Sequence, residues 1–522
     1  MALFSFAEAP PLTIGFSVLI VAFLWWVLKR RNVVDAKGLL LPPGPSPWLV
    51  IGNLHQLGDL PHRSLAELSK KYGALMFMRL GSIPALVVSS SQMAKQILTT
   101  HDLAFGNRPA TASAKYVAYG EIDPGLAPYG PYWRHMRKIS VMQLLSAKRV
   151  DSFASLREEE VATGVRSIWE KSRHGKLPVN LTAAISSIIS GIMWGILAGT
   201  NSGGYSDLVG SGDELTMMIN EVTSMVGAFN IGDFIPFGAW IDQLRGMKHR
   251  MIRAHNFFDR VVGKIIDQHV ERNAKVDGEK EHVKDLVDVL LDIEKEEPDG
   301  ENGIKVGREH IKATIFDMFL GGIETTIITL EWTMSELLRN PQIAKKLQQE
   351  IQSKVGKHRM VKESDLANME YLQCVVKETY RLYPAGPLML PHESREACTV
   401  GGYHIPNKTR LVVNVWAIGR DPLVWEDPLT FKPERFMESD LNGKGKDFTM
   451  LPFGAGRRGC PGAYLATQNI NLVLAQLLHC FDWKLEGNAD PSCLDMTETF
   501  RTSIPRKVSL FAVPSLKLDI EL

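Results

Sequence analysis

Residues Phe453-Gly454-Ala455-Gly456-Arg457-Arg458-Gly459-Cys460-Pro461-Gly462 decide how this chain is read. Three glycines ahead of the cysteine let backbone pass close to a large flat ligand, because no Cβ stands in the way. Pro461-Gly462 then leads into the helical pattern Ala463 to Phe481. This puts Cys460 at a helix N-terminus, where unpaired N–H groups and the helix dipole favour a thiolate. Arg458 is placed to face an anionic group nearby. Taken alone, the stretch also fits a buried structural cysteine in a glycine-rich turn. The other cysteines, Cys374, Cys398, Cys480 and Cys493, are scattered, with no CxxC pair or Cys/His cluster. That spacing argues against a disulfide scaffold and a structural zinc site, and it fits a reducing compartment.

Outward from the cysteine, four other patterns stand in the chain. Gly307 to Leu338 has helical periodicity over some 32 residues, about 48 Å at ~1.5 Å per residue. Its midpoint reads Gly321-Gly322-Ile323-Glu324-Thr325-Thr326. Two interior glycines cost about 1 kcal/mol each relative to alanine, so something compensates them. A helix-packing notch explains the glycines but not the adjacent acid and hydroxyl. Glu378 and Arg381 are three apart and share a helix face, in isolation a surface ion pair. Pro433-Glu434-Arg435-Phe436 follows downstream. Trp133 and Arg137, four apart, share a face in Pro131-Tyr132-Trp133-Arg134-His135-Met136-Arg137, which an amphipathic helix also explains. His392 follows Pro391 and by itself reads as a core or surface hydrogen-bonding histidine.

Taken together and in order, these stretches resemble the cytochrome P450 monooxygenases. The combination of Pro-Pro-Gly-Pro, Tyr-Gly-Pro-Tyr-Trp-Arg and the cysteine loop resembles the plant A-type members, which serve specialised metabolism. The resemblance implies a mainly α fold with a small β-rich part and a long central helix over haem b (iron protoporphyrin IX). It implies that Cys460 is the axial ligand and metal-binding residue, within a loop carrying Phe453, Gly456, Arg458 and Gly462. A cysteine ligand favours O–O cleavage. Trp133, Arg137 and His392 are implied as contacts of the haem propionates, Arg137 through charge-assisted bonds. Glu378, Arg381 and Arg435 are implied as a buried structural triad. The family places a local widening at Gly321-Gly322, where Thr325 and Glu324 relay protons to bound dioxygen.

The N-terminus suggests where such a protein sits. Leu12 to Leu28 carries no charge across 17 residues and is followed by Lys29-Arg30-Arg31. As a helix it spans about 26 Å, enough for a thin bilayer. The basic residues follow the apolar run, and Trp25 and Trp26 stand where a signal peptidase needs small side chains, so an uncleaved anchor is expected. The chain therefore divides into a membrane anchor (1–31), a basic, proline-rich hinge (32–50) and the haem domain (51–522). In the hinge, Pro42-Pro43-Gly44-Pro45-Ser46-Pro47 reads as a stiff extended spacer. The expected location is the endoplasmic reticulum membrane, single-pass, with the catalytic domain on the cytoplasmic side. Lys plus Arg total 59 against 58 Asp plus Glu in 522 residues, a net charge of +1. That balance argues against a nucleic-acid partner.

Elsewhere, Leu75–Leu80 and Ile83–Val88 read as a hairpin about Gly81-Ser82, and Cys398 to Val415 as further strands. Asn340-Pro341 reads as an N-cap and N1 pair. The acidic region Glu279 to Asn302 reads as a solvated surface connection. No GxGxxG opens a βαβ unit, so electrons are expected from NADPH-cytochrome P450 reductase, with O2 as co-substrate. Arg134, Lys138, Lys148, Arg149 and Arg457 are candidates for docking it, although a solvated face explains them too. By resemblance the substrate pocket draws on 101–125, about 205–245, Phe316, Phe319 and Gly321, Ala385 to Leu390 (with Leu388 and Met389), and Phe500 to Ile504. These apolar walls suggest a lipophilic substrate, a terpenoid first and a phenolic (flavonoid or phenylpropanoid) second. A reductase-independent isomerase or dehydratase on the same fold, and a non-catalytic haem sensor or electron carrier, are the alternatives. The acid–threonine pair argues against both.

Overall fold

A computed structural model describes residues 38–199, 221–275, 284–297, 303–437 and 448–519. The expected anchor and its basic end fall outside them. The longer helices are α1 Pro61–Tyr72, α2 Pro131–Ile139, α3 Ala154–Lys171, α4 Leu181–Ala198, α5 Met247–Lys275, α6 Leu286–Lys295, α7 Arg308–Arg339, α8 Pro341–Val355, α9 Glu370–Leu382 and α10 Ala463–Cys480. Two of them, α4 and α7, are long and apolar enough to cross a membrane, but both are mostly buried in the protein core.

The β-rich part is small. β1 Leu75–Leu80 and β2 Ile83–Val88 pair antiparallel with Leu80 opposite Ile83. The turn needs Gly81, which sits at φ 62° and against the Phe234 carbonyl. β7 Arg410–Val413 adds parallel to β2, and β4 His392–Glu393 adds antiparallel to β7. β5 Cys398–Val400 and β6 Tyr403–Ile405 form a separate hairpin. β3 Val179–Asn180, β9 Phe511–Leu516 and β8 Phe481–Lys484 make a third sheet.

The long helix α7 is the axis of the core. Apolar side chains cover most of its circumference, and Trp332, Leu330 and Met334 are fully buried. Such all-round burial marks a central rather than a surface helix. α7 packs against α4, α10 and α9. Its helical hydrogen bonding runs unbroken past Gly321-Gly322, so the local widening expected there does not interrupt the helix. Thr325 and Thr326 hydroxyls donate instead to the Gly321 and Gly322 carbonyls, at 2.7 and 2.8 Å. Such bonds four residues back are how a helix absorbs hydroxyls.

Two expectations need correction and a third is refined. The proline-rich stretch, read as a stiff extended spacer, is also strapped to the body. The Phe77 N–H of β1 donates to Pro43 O at 2.9 Å, and a Cβ on Gly44 would overlap the Phe77 carbonyl. The acidic connection contains α6, whose Leu286, Val287, Val289, Leu290, Leu291 and Ile293 are buried. Two of its acids are buried as well: Asp285 caps the helix by accepting from Asp288 N–H and pairs with His269 of α5, while Asp288 accepts from Arg272 of α5. Pro341 does begin α8, but the Asn340 side chain reaches back to Glu336 and makes no cap bond.

Candidate active site

The cysteine loop is held by its own backbone. Cys460 N–H donates to Phe453 O at 2.8 Å and Gly459 N–H to Gly456 O at 3.1 Å. Gly456 sits at φ 73°, where a Cβ would lie 2.5 Å from Asp102 Oδ1 and 2.7 Å from Leu98 O. On the side where its Cβ would stand, that glycine makes room for neighbouring protein. The Phe453 ring meets Tyr380 edge-on at 5.2 Å. A Cβ on Gly462 would come within 3.9 Å of the Cys460 sulfur.

Cys460 is enclosed by protein, yet its side chain remains accessible. Burial raises its thiol pKa, while the Gly462 N–H and the Arg137 guanidinium pull it down. Burial thus outweighs the helix terminus, contrary to the sequence expectation. A thiolate here calls for a stronger positive charge, which a coordinated metal supplies.

Beside the loop, cations converge. Arg137, on α2, donates from Nη2 to Gly459 O at 2.5 Å. Arg458 donates to Gly106 O and Ala127 O at 2.9 and 2.6 Å, with its guanidinium 4.2 Å over the Trp133 ring. Arg108, missed at the sequence level, joins them through Gly125 O, Leu390 O and Pro391 O. It stands in a loop with no recognised motif, so only the fold exposes its role. Burial, with the like charges of Arg108 and Arg137, lowers Arg458 to about 9. Burial also brings Arg108 down to about 10 against the pull of Asp123 and Asp317.

Trp133 is buried and its indole N–H donates to Pro124 O at 3.0 Å. His392 donates from Nδ1–H to Phe105 O at 3.0 Å, leaving Nε2 as an acceptor in the neutral ring. Burial and the charges of Arg108 and Arg458 hold its pKa down to about 3. As it stands, His392 meets an anion only by taking a second proton.

On α7, Thr325 and Gly321 share a face. Glu324 lies near Ser503 and Arg501. Burial raises its carboxyl pKa, against the pull of the Ser503 hydroxyl and the Arg501 charge. The Glu324 carboxyl is half-buried, on the side of α7 that meets the C-terminal segment around Arg501 and Ser503. Phe316 and Phe319 lie on the opposite face of α7 and pack on Phe258, with Tyr119 and Trp194 beside them. They are core residues and not pocket walls, because the helical turn carries them away from Gly321 and Thr325. Ile504 is fully buried and tied at both ends of its backbone, to Ala385 O and Trp332 Nε1. Leu388, Met389 and Phe500 are half-buried, Met389 at φ 55° against Gly454 and Phe500 stacked on His62. Part of the expected 205–245 wall falls outside the described residues.

Behind the site, Glu378 takes two 2.7 Å bonds from Arg381 and one of 3.0 Å from Arg435. Both members of the Glu378–Arg381 pair are fully buried. Of the candidate docking cations, Arg134, Lys138, Lys148 and Arg457 are exposed. Arg457 pairs with Asp102 at 3.0 Å and Arg149 donates to the Lys284 carbonyl.

A long helix through the core, an accessible cysteine in a glycine loop and a ring of cations at its edge define a haem-thiolate protein. The sequence model of the family described as "Cytochrome P450" matches residues 42–510, and the chain belongs to that family of monooxygenases. It is 49% identical to cytochrome P450 750A1 of Pinus taeda over 98% of both chains. It is 39% identical to flavonoid 3'-monooxygenase of Arabidopsis thaliana over 97% of this chain and 98% of that protein. A solved zebra fish cytochrome P450 with abiraterone shares the fold, with a TM-score of 0.72 at 24% identity, covering 88% of this chain and 100% of that one.

Family members bind haem through a thiolate, and the residues here fit it. Arg458 Nη1 and His392 Nε2 are buried without a hydrogen-bond partner among the described residues. An anionic group at that edge relieves the repulsion among Arg108, Arg137 and Arg458.

Proposed function

We propose that this chain is a monooxygenase of a lipophilic plant specialised metabolite, using O2 and electrons from NADPH through cytochrome P450 reductase. A terpenoid is the first substrate class, in keeping with the apolar Leu388, Met389 and Phe500. A phenolic is the second, and the flavonoid 3'-monooxygenase relative supports it. The observation that carries the reading is the accessible Cys460 sulfur, held in its loop beside three arginines whose repulsion an anion relieves.

Bound there, haem supplies O2 activation and electron uptake. In this reading Cys460 ligates the iron, while Arg137, Arg458 and Arg108, with Trp133 and a protonated His392, hold the propionates. Thr325 holds a proton at Oγ1, and Glu324 retains one to higher pH than an ordinary carboxyl, so the pair can deliver protons. The Glu378–Arg381–Arg435 triad keeps the core behind the loop rigid. Exposed Arg134 and Lys138, four apart on α2, and Lys148 receive an acidic reductase surface. Residues 1–31 anchor the chain in the endoplasmic reticulum membrane by a single pass, with the catalytic domain on the cytoplasmic side.

The test is co-expression with a plant reductase, feeding microsomes terpenoids and flavonoids with and without NADPH. Product that forms only with NADPH, and is lost together with the red-shifted carbonyl-complex band in Cys460→Ser, supports the reading. Turnover without reductase, or a Cys460→Ser variant that keeps that band, refutes it.

A further inference from the structure

An acid pair joins the loop beside the cation cluster to α7, outside every role assigned above. Asp123 is fully buried, and Asp317 stands one turn before Gly321 on α7. Asp317 Oδ2 accepts from Gly125 N–H at 2.6 Å, and Asp123 Oδ2 accepts from Leu126 N–H at 2.9 Å. The two carboxyls crowd one spot. A Cβ on Gly125 would lie 3.2 and 3.3 Å from the Asp317 oxygens and 3.4 Å from Asp123 Oδ2. Among the described residues, no N–H or hydroxyl partners the buried Asp123 Oδ1.

Two touching carboxylates cannot both be charged in such a place, and one proton shared between them resolves the contact. The charge count agrees. Arg108 contributes +1 and a singly protonated pair −1, so the trio is neutral. Burial first, and then the mutual repulsion of the acids, raises Asp317; Arg108 opposes it. Burial likewise raises Asp123, against Arg108 and the backbone N–H groups. Tyr132 faces both acids from α2, its hydroxyl held by Ile122 O, and their negative charge helps keep it un-ionised. Arg137, Arg458 and His392 stand beyond Arg108.

The segment so pinned has work to do. Its carbonyls hold Trp133 through Pro124 (3.0 Å), Arg108 through Gly125 (3.1 Å) and Arg458 through Ala127 (2.6 Å). We infer that Asp123 and Asp317 form a one-proton latch that fastens this loop to the long helix and thereby positions the cation cluster at the haem edge. The inference rests on haem occupancy and not on the substrate reading.

The latch has a defined pH sense. The folded pair keeps a proton that separate carboxyls release in their ordinary range, so its contribution is present at low pH. It fades as pH rises through the raised value, when two negative charges face each other.

The test is haem transfer from the holoprotein to apomyoglobin, followed by the Soret band between about pH 6.5 and about pH 9. The unaltered protein is expected to release haem at least tenfold faster at the alkaline end, one unit of pKa shift being about tenfold. Asp317→Asn and Asp123→Asn each put a fixed N–H where the shared proton lay and keep the trio neutral, so their release is slow and flat with pH. Asp123→Ala releases haem fast at every pH. Asn variants with the pH dependence of the unaltered protein would overturn the proposal, as would a Soret band equally stable across the range in all proteins. Should Asp123→Ala fail to fold, the Asn pair decides alone. Because neither reductase nor substrate is present, failure here is distinguishable from failure of the monooxygenase reading.

Discussion

Replacing Glu378 with glutamine removes the one negative charge between two guanidinium groups. Glu378 accepts four bonds, from Arg381 Nε and Nη2 at 2.7 Å each, from Arg435 Nε at 3.0 Å and from Lys432 N–H at 2.8 Å. Three of these end on Oε1 and one on Oε2, so a glutamine amide in place of Oε2 sets donor against donor at Arg381 Nε. Arg381 cannot leave, because its remaining N–H groups are bonded to the carbonyls of Gly419, Pro428 and Thr430. Removing one partner of a fully buried pair costs roughly 3–5 kcal/mol. Against a total stability of about 5–15 kcal/mol, that is a fifth or more of what holds the fold. The assay is urea denaturation of the holoprotein, read by far-UV dichroism and the Soret band together. A Glu378→Gln variant within about 1 kcal/mol of the parent refutes the reasoning. The control is Arg435→Gln. Arg435's other bonds go to carbonyls on the exposed side, those of Glu426, Asp427 and Thr430, so its loss costs about 1–2 kcal/mol.

Gly456→Ala forces a methyl to within 2.5 Å of Asp102 Oδ1 at positive φ. It is expected to cost about 1–3 kcal/mol and to lower haem content, measured as the carbonyl-complex band per milligram. Thr325→Ala removes the hydroxyl now bonded to Gly321 O. NADPH consumption is expected to continue while product per NADPH falls on the order of a hundredfold, checked by product chromatography and peroxide assay. The Glu324 carboxyl, with its pKa raised by burial, stays protonated above the ordinary carboxylate range and loses that proton as pH rises through the raised value. Product per NADPH should therefore decline on the alkaline side, and Glu324→Gln should flatten that limb in a pH series.

Local patterns announced themselves in the chain. The β1–β2 hairpin, the long helix and the cysteine loop were all legible, because each is specified by neighbours a few residues apart: alternation, helical period, or glycine and proline placement. The same local view failed where burial decides. The acidic stretch around α6 looked solvated, because acids dominate its composition while its apolar stripe needs a partner to become visible. Phe316 and Phe319 looked like pocket walls, because only packing shows which side of a buried helix meets which neighbour.

By itself, then, the amino-acid order determined the family, and it singled out Cys460 as the candidate thiolate and Glu324-Thr325 as the candidate proton relay. Each is a short motif whose residue types suit its chemistry. Only the tertiary structure placed Arg108, Asp123 and Asp317. Gly125 and Asp317 are 192 residues apart in the chain and 2.6 Å apart in space. No local pattern encodes such a contact. It exists because loop and helix are pressed together at low dielectric, where a carboxyl's protonation depends on whatever the fold has set beside it.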